Sequence, residues 1–187
     1  MSPPGWHLLG GFPDPADDGV GSWLLHHGGE ALLLEVPPGL TPDVVRSGLA
    51  AIGNPALLHV TASHGHWDHL DRAGWAALRR AFPAADFVRP SAVGGDRRLS
   101  LGGEPVWLVK APKHSPSDVV TAFRGVAMTG DIELGSLDAV NREVPGAVRA
   151  ASFAWLRGFP ARTGYRVHTV MSAHLNDYRA EVDWPSL

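Results

Sequence analysis

Apolar segments rich in Leu and Val alternate with turn residues along the chain, and a few stretches switch to helical spacing. Ser22 to His27 and Ala31 to Val36, joined by Gly28-Gly29, predict a β-hairpin with a Gly-Gly turn. Thr41-Pro42-Asp43 offers an N-cap threonine and a proline at the first helical position, predicting a helix towards Ile52. Leu57 to Thr61 reads as a strand that delivers the chain into Ser63 to Leu70. Asp71 then caps a helix whose Trp75, Leu78 and Phe82 share one face. Ala85 to Val88 and Val106 to Val109 predict strands separated by a glycine-rich, polar loop. Val119 to Phe123 and Val126 to Met128 predict a pair about Arg124-Gly125. Ala147 to Leu156 predicts a helix, and Arg166 to Met171 a last strand entering Ser172-Ala173-His174. Strands with helices in both halves predict a layered sheet-and-helix domain. The segment through Pro15 is rich in Pro and Gly and reads equally as a mobile tail, a lid or a dimer contact.

Composition narrows the chemistry. A chain of 187 residues suits one domain, which at that size buries roughly two-thirds of its unfolded surface. Net charge is −3 and no charge run is present, so there is no basic footprint for nucleic acid and no electrostatic membrane tether. Apolar runs such as Ala31 to Leu34 fall far short of a membrane span. The opening MSPPGWHLLGG lacks the basic start and apolar stretch of a signal peptide, so a cytoplasmic protein is expected. The chain has no cysteine. Disulfides, thiolate nucleophiles and thiolate ligands are thereby excluded, and a transition metal must be held by imidazole and carboxylate.

The stretch Ser63-His64-Gly65-His66-Trp67-Asp68-His69-Leu70 is the strongest chemical signal in the chain. Residues two apart in an extended segment share a face, so His64 and His66 can converge on one point. Asp68 and His69 follow immediately and can turn towards a second point. A single loop histidine is more often solvated than ligating, but the four-residue pattern gains force from its partners. His114 lies beyond the predicted strand ending at Val109. Asp131 follows Met128 in Thr129-Gly130-Asp131, and His174 follows Met171. Rigid scaffolds commonly place chemistry on loops just past strand ends. His7, His26, His27, His59 and His168 lack such a setting and read as core or surface residues.

These motifs resemble those of the metallo-β-lactamase-fold superfamily, in order and approximate spacing over nearly the whole chain. His64-Gly65-His66-Trp67-Asp68-His69 stands as a complete HxHxDH, followed by His114 in KHSPSD, Asp131 in TGDIEL and His174 in SAHLND. The resemblance implies an α+β fold, an αββα four-layer sandwich, with the site at one edge of two sheets. It implies that His64, His66 and His114 hold one metal and Asp68, His69 and His174 another. Asp131 would bridge the two together with a water or hydroxide. Two Zn2+ ions are expected, although HxHxDH fits iron or manganese as well. Lys113 and Ala173 stand where many hydrolytic members have glycine, and Leu34-Glu35-Val36-Pro37 matches the family's acidic turn only loosely.

The same resemblance implies a hydrolase in which Asp68 both ligates and serves the attacking water. Cysteine-ligated lactamases are excluded. Glutathione thioesterases of the family carry an added helical segment beyond the last ligand, RNA-processing members an extra domain, and flavodiiron members glutamate in place of His66. The reading that remains is a small-molecule metallohydrolase acting on an ester, lactone, thioester or amide. The alternatives are a redox metalloenzyme of the diiron type and a non-catalytic metal-binding domain. Ser63, Thr129, Ser172 and Asp71 are candidates to orient the ligands. Trp67, Lys113, Tyr165 and Asn176 are the substrate candidates. Lys110 and Lys113, the only lysines among 16 basic residues, flank His114 and would attract an anionic substrate. The residues leave the oligomeric state open.

Overall fold

The computed structural model describes residues 2–12, 19–132, 134, 143–175, 179–181 and 184. Alternation within strands that are buried on both faces explains the layers. Runs such as Ala31-Leu32-Leu33-Leu34 are continuously apolar, as befits a strand covered on each side. Yet successive side chains point to opposite faces, and they join different cores. Leu25, Leu32 and Leu34 pack with Trp6, Trp23, Val106, Phe123, Met128 and Met171 between two sheets. Leu24 and Leu33 point the other way, onto Val45, Leu49, Trp75 and Leu78.

The first sheet has the order β1-β2-β3-β4-β5, formed by Trp6–Phe12, Val20–His27, Glu30–Leu34, Ala56–Thr61 and Asp86–Phe87. Helices α1 (Pro42–Ala51) and α2 (Arg72–Ala81) cover its outer face, the former N-capped by Thr41 and the latter by Asp71. The second sheet has the order β11-β10-β9-β8-β7-β6. Its strands are Asp96–Leu101 (β6), Glu104–Lys110 (β7), Val119–Phe123 (β8), Val126–Met128 (β9), Thr169–Met171 (β10) and Arg179–Glu181 (β11). Phe153 and Leu156 of α3 (Gly146–Arg157) and Phe159 of α4 (Phe159–Thr163) pack on its far face against Val109, Val120 and Val170. The result is helix, sheet, sheet, helix: an α+β sandwich with the four αββα layers.

Topology then brings the chemistry to one edge. β7 and β9 are each antiparallel to β8, so they run the same way, and β10 runs parallel to β9. Their carboxyl ends carry the loops to His114, Asp131 and His174. In the first sheet β4 is parallel to β3 and ends at Thr61, just before His64. Val119 donates its N–H to Ser63 O at 2.7 Å and Gly21 to Ala173 O at 2.8 Å, joining the two sheets at this edge.

Three features differ from the sequence reading. Residues 6–12 are not a free tail: they form β1, paired antiparallel with β2 through a register shift between Leu8 and Gly10. Trp6 is buried and donates Nε1–H to Phe123 O at 3.2 Å. Gly10 and Gly11 weaken local strand propensity, and only pairing with β2 supplies the strand. Residues 13–15 lie outside the described residues. The polar loop between the strands ending at Val88 and starting at Val106 contains β6, which forms a hairpin with β7 around Gly102-Gly103. Its Asp-Arg-Arg start hides the strand, because an edge strand needs little apolar sequence. Finally, β11 and α4 lay below the threshold of any pattern.

Candidate metal centre

The local fold turns four separate loops towards a common point. After β4 the chain enters a tight stretch in which Leu70 N–H donates to His66 O at 2.8 Å. That turn presents His64, His66, Asp68 and His69 within one short segment. Within it His64 Nε2 lies 3.0 Å from His66 Nδ1. The same His66 Nδ1 lies 3.1 Å from His114 Nε2. Ligating nitrogens on a tetrahedral zinc at 2.0–2.1 Å would lie ~3.3 Å apart, so these three have the spacing of ligands on one ion. His69 Nε2, His174 Nε2 and Asp68 form a second group, with Asp68 Oδ2 at 3.6 Å from His69 and 4.0 Å from His174.

Asp131 stands between the groups and offers each of them one oxygen. Oδ2 faces His64 and His114 at 3.7 and 3.4 Å, and Oδ1 faces His69 and His174 at 3.2 and 3.5 Å. His69 Nε2 and Asp131 Oδ1 are both buried and face each other at 3.2 Å, yet neither makes a well-aligned hydrogen bond among the described residues. Buried polar atoms are nearly always satisfied. Their orphaned state at the convergence of imidazole and carboxylate donors is what a divalent cation would relieve, so the residues fit a metal.

Electrostatics support that fit. Burial, then the neighbouring His69, push His64 down to about 2, so its ring is a neutral donor at ordinary pH. Burial opposes charge on His69 too, but Asp131 and Glu35 on either side outweigh it and raise that ring to about 10. Burial opposes charge on Asp131, whereas His174 and His69 hold its carboxyl well below the usual carboxylate range. Without a cation, therefore, a proton on His69 compensates the buried Asp131.

Comparison with solved structures accounts for this arrangement of loops and layers. ETHE1 from Myxococcus xanthus superposes with a TM-score of 0.65 at 18% identity, covering 94% of this chain and 79% of that one. The B3 metallo-β-lactamase BLEG-1 gives 0.62 at 16% identity, covering 94% and 93%. A metallo-β-lactamase family protein from Thermus thermophilus gives 0.63 at 17%, covering 98% and 77%. The chain has the metallo-β-lactamase fold.

A shared fold does not fix a function. No family model matches the chain. A curated relative, hydroxyacylglutathione hydrolase from Anaeromyxobacter dehalogenans (strain 2CP-C), is 34% identical over 121 residues, which is 59% of this chain and 44% of the relative. The chain thus aligns with less than half of that protein's length.

Around the candidate ligands lie residues that contact their rings and loops. Ser63 Oγ lies 3.0 Å from His64 Nδ1 and 3.4 Å from His69 Nδ1, fixing two rings at once. Glu35, fully buried, accepts Ser63 N–H at 3.1 Å and places its second oxygen 3.5 Å from His69 Nδ1. Its φ of 69° is unfavourable for a side-chain-bearing residue, and the acidic turn, only loosely recognisable in sequence, places this carboxylate directly behind His69. Ser172 Oγ donates to Gly130 O at 3.1 Å and accepts His174 N–H at 3.2 Å, bracing the last ligand loop. Thr129 donates its hydroxyl to Met171 O at 3.4 Å, and Asp71 is a helix cap. Glu143, 3.5 Å from His66 Nε2, carried no signal in the sequence.

The substrate candidates fare differently. Trp67 is 70% exposed and forms no part of the core, which suits a wall beside the ligands. Lys113 is a correction: it is only 2% exposed, with Nζ 5.5 Å from the Phe153 ring, and cannot meet substrate from solvent. Lys110 donates to Pro116 O at 2.7 Å. Tyr165 is a second correction. Its hydroxyl accepts Gly125 N–H at 3.0 Å, in the β8–β9 turn at the opposite end of β9 from Asp131. Asn176 lies outside the described residues. Among the described residues, no helix is long and apolar enough to cross a membrane.

Proposed function

We propose that the chain is a metal-dependent hydrolase of a small-molecule ester, lactone, thioester or amide. The observation that carries this reading is Asp131, which offers one carboxylate oxygen to each of two imidazole-containing groups. In this reading His64, His66 and His114 would hold one divalent metal, zinc in the first instance. Asp68, His69 and His174 would hold the second, with Asp131 between. Divalent ions held there would supply a water acidified towards neutral pH and polarisation of a carbonyl oxygen.

The chain's own groups supply the rest. Asp68 keeps 27% of its side chain exposed, unlike the buried His69 beside it. It can therefore reach a substrate-side water, orient it and accept its proton. Ser63 and Glu35 keep the rings of His64 and His69 turned inwards, so ligand geometry is set before substrate arrives. Trp67 offers an apolar surface beside Asp68 for the acyl or leaving group. The curated relative's activity, hydrolysis of a hydroxyacylglutathione, favours a thioester within the proposed class.

The test is turnover of a panel of thioesters, lactones, esters and amides by metal-depleted protein before and after zinc, iron or manganese is restored. Zinc-dependent hydrolysis is expected, and Asp68→Asn should lose about 10²-fold or more of kcat, the scale of general-base catalysis. Full activity in Asp68→Asn would remove the role given to Asp68. Activity indifferent to metal would remove the whole reading.

A further inference from the structure

The loop carrying His114 and the loop carrying His64 and His66 lie far apart in sequence, yet their nitrogens meet within 3.1 Å. Something must set their register more finely than the sheet edges do. Asp118 is almost fully buried and organises the first loop. Its Oδ2 accepts backbone N–H groups from Lys113 at 2.9 Å, His114 at 2.6 Å and Ser115 at 2.8 Å. Its Oδ1 accepts the Ser115 hydroxyl at 2.7 Å.

That last bond fixes the direction of those that follow. A hydroxyl has one proton, and an ionised carboxylate can only accept. Ser115 therefore spends its proton on Asp118, and the 3.0 Å contact between Ser115 Oγ and Ser117 Oγ must use the Ser117 proton. Ser117 Oγ is left with lone pairs, and it accepts the N–H of Gly65 at 2.9 Å. Gly65 sits between His64 and His66. The chain thus runs one way, Gly65 N–H to Ser117 to Ser115 to Asp118, and each link polarises the next. Val119 N–H to Ser63 O joins the bases of the same loops, so Ser117 governs their tips rather than the fold.

We propose that Ser117 is a positioning residue, whose hydroxyl locks the His64–His66 loop against the Asp118-organised His114 loop and so sets the nitrogen triangle of the first metal group. The inference rests on the metal-centre reading above. Its test compares wild type, Ser117→Ala and Ser117→Thr, each stripped of metal, by zinc titration against a chromophoric chelator and by the visible spectrum of the cobalt(II) forms. Ser117→Ala should bind its tightest zinc about 10-fold more weakly, the scale seen when groups behind metal ligands are lost, with an altered cobalt spectrum. Ser117→Thr retains the hydroxyl and should stay near wild type. All three should melt within about 4 °C of one another without metal. Wild-type affinity and an unchanged cobalt spectrum in Ser117→Ala would overturn this inference alone, as would equal losses in the alanine and threonine variants. A wild-type protein that binds no zinc would remove the metal centre and this inference together.

Discussion

The proton that His69 holds in the metal-free protein makes folding stability depend on pH. In the folded chain this ring is raised to about 10, against an ordinary value of 6.5 once the chain unfolds. A raised pKa stabilises fully below 6.5, and the contribution is lost as pH climbs through 10. Between these limits the folded state binds one more proton than the unfolded state, so each pH unit costs about 1.4 kcal/mol. From pH 7 to pH 9 the loss is about 2–3 kcal/mol. For a chain of 187 residues this lowers Tm by roughly 5–10 °C. Below 6.5 the sign reverses. His64 is depressed to about 2 and Asp131 is held low, so stability also falls as pH drops. Metal-free protein should therefore melt highest near neutrality, as read by circular dichroism or calorimetry in chelator-treated buffer. Glu35→Gln removes one of the two carboxylates that hold the proton and should flatten the alkaline limb. Zinc, which would take the place of that proton, should remove the limb. A metal-free Tm that is level between pH 7 and pH 9 would refute the protonated His69.

Three further perturbations separate the parts of the site. His114→Ala removes one corner of the nitrogen triangle and should lower zinc content to one equivalent or less by atomic absorption; two retained equivalents would overturn the ligand grouping. Gly130→Ala should cost stability, because φ is +62° and a Cβ there would sit 2.7 Å from Ser63 Cβ and Oγ. Its expected melting loss corresponds to about 1–3 kcal/mol, and zinc uptake should fall with it because Ser63 holds two ligand rings. Trp67→Ala removes an exposed ring, so Tm should hold to within the equivalent of about 0.5 kcal/mol while KM for apolar substrates rises. Unchanged KM across the substrate panel would remove Trp67 from the binding surface.

The candidate donor segments were legible in sequence because histidine and aspartate at strand ends form a dense local pattern. The HxHxDH spacing, with His114, Asp131 and His174 in order, is enough to suggest where metal would go. Helix α1 was legible through Thr41 and Pro42, and α2 through Asp71, since caps act over three or four residues. β1 and β6 were not: Gly10-Gly11 and Asp96-Arg97-Arg98 make poor strands alone and are held by pairing with β2 and β7. Lys113 shows the same limit at the site. A lysine beside a histidine reads as a charged rim, but the packing of α3 against the loop places its side chain under Phe153.

By itself, then, the sequence determined the donor chemistry, imidazole and carboxylate without thiolate, and the local elements that carry it. Only the tertiary structure decided which donors share a point, that Asp131 divides its oxygens between two groups, and that Glu35, Asp118 and Ser117 stand behind them. The physical reason is range. Caps and alternation are settled within a few residues, whereas the contact between Gly65 and Ser117 exists only because two sheets stack and bring their strand ends to one edge.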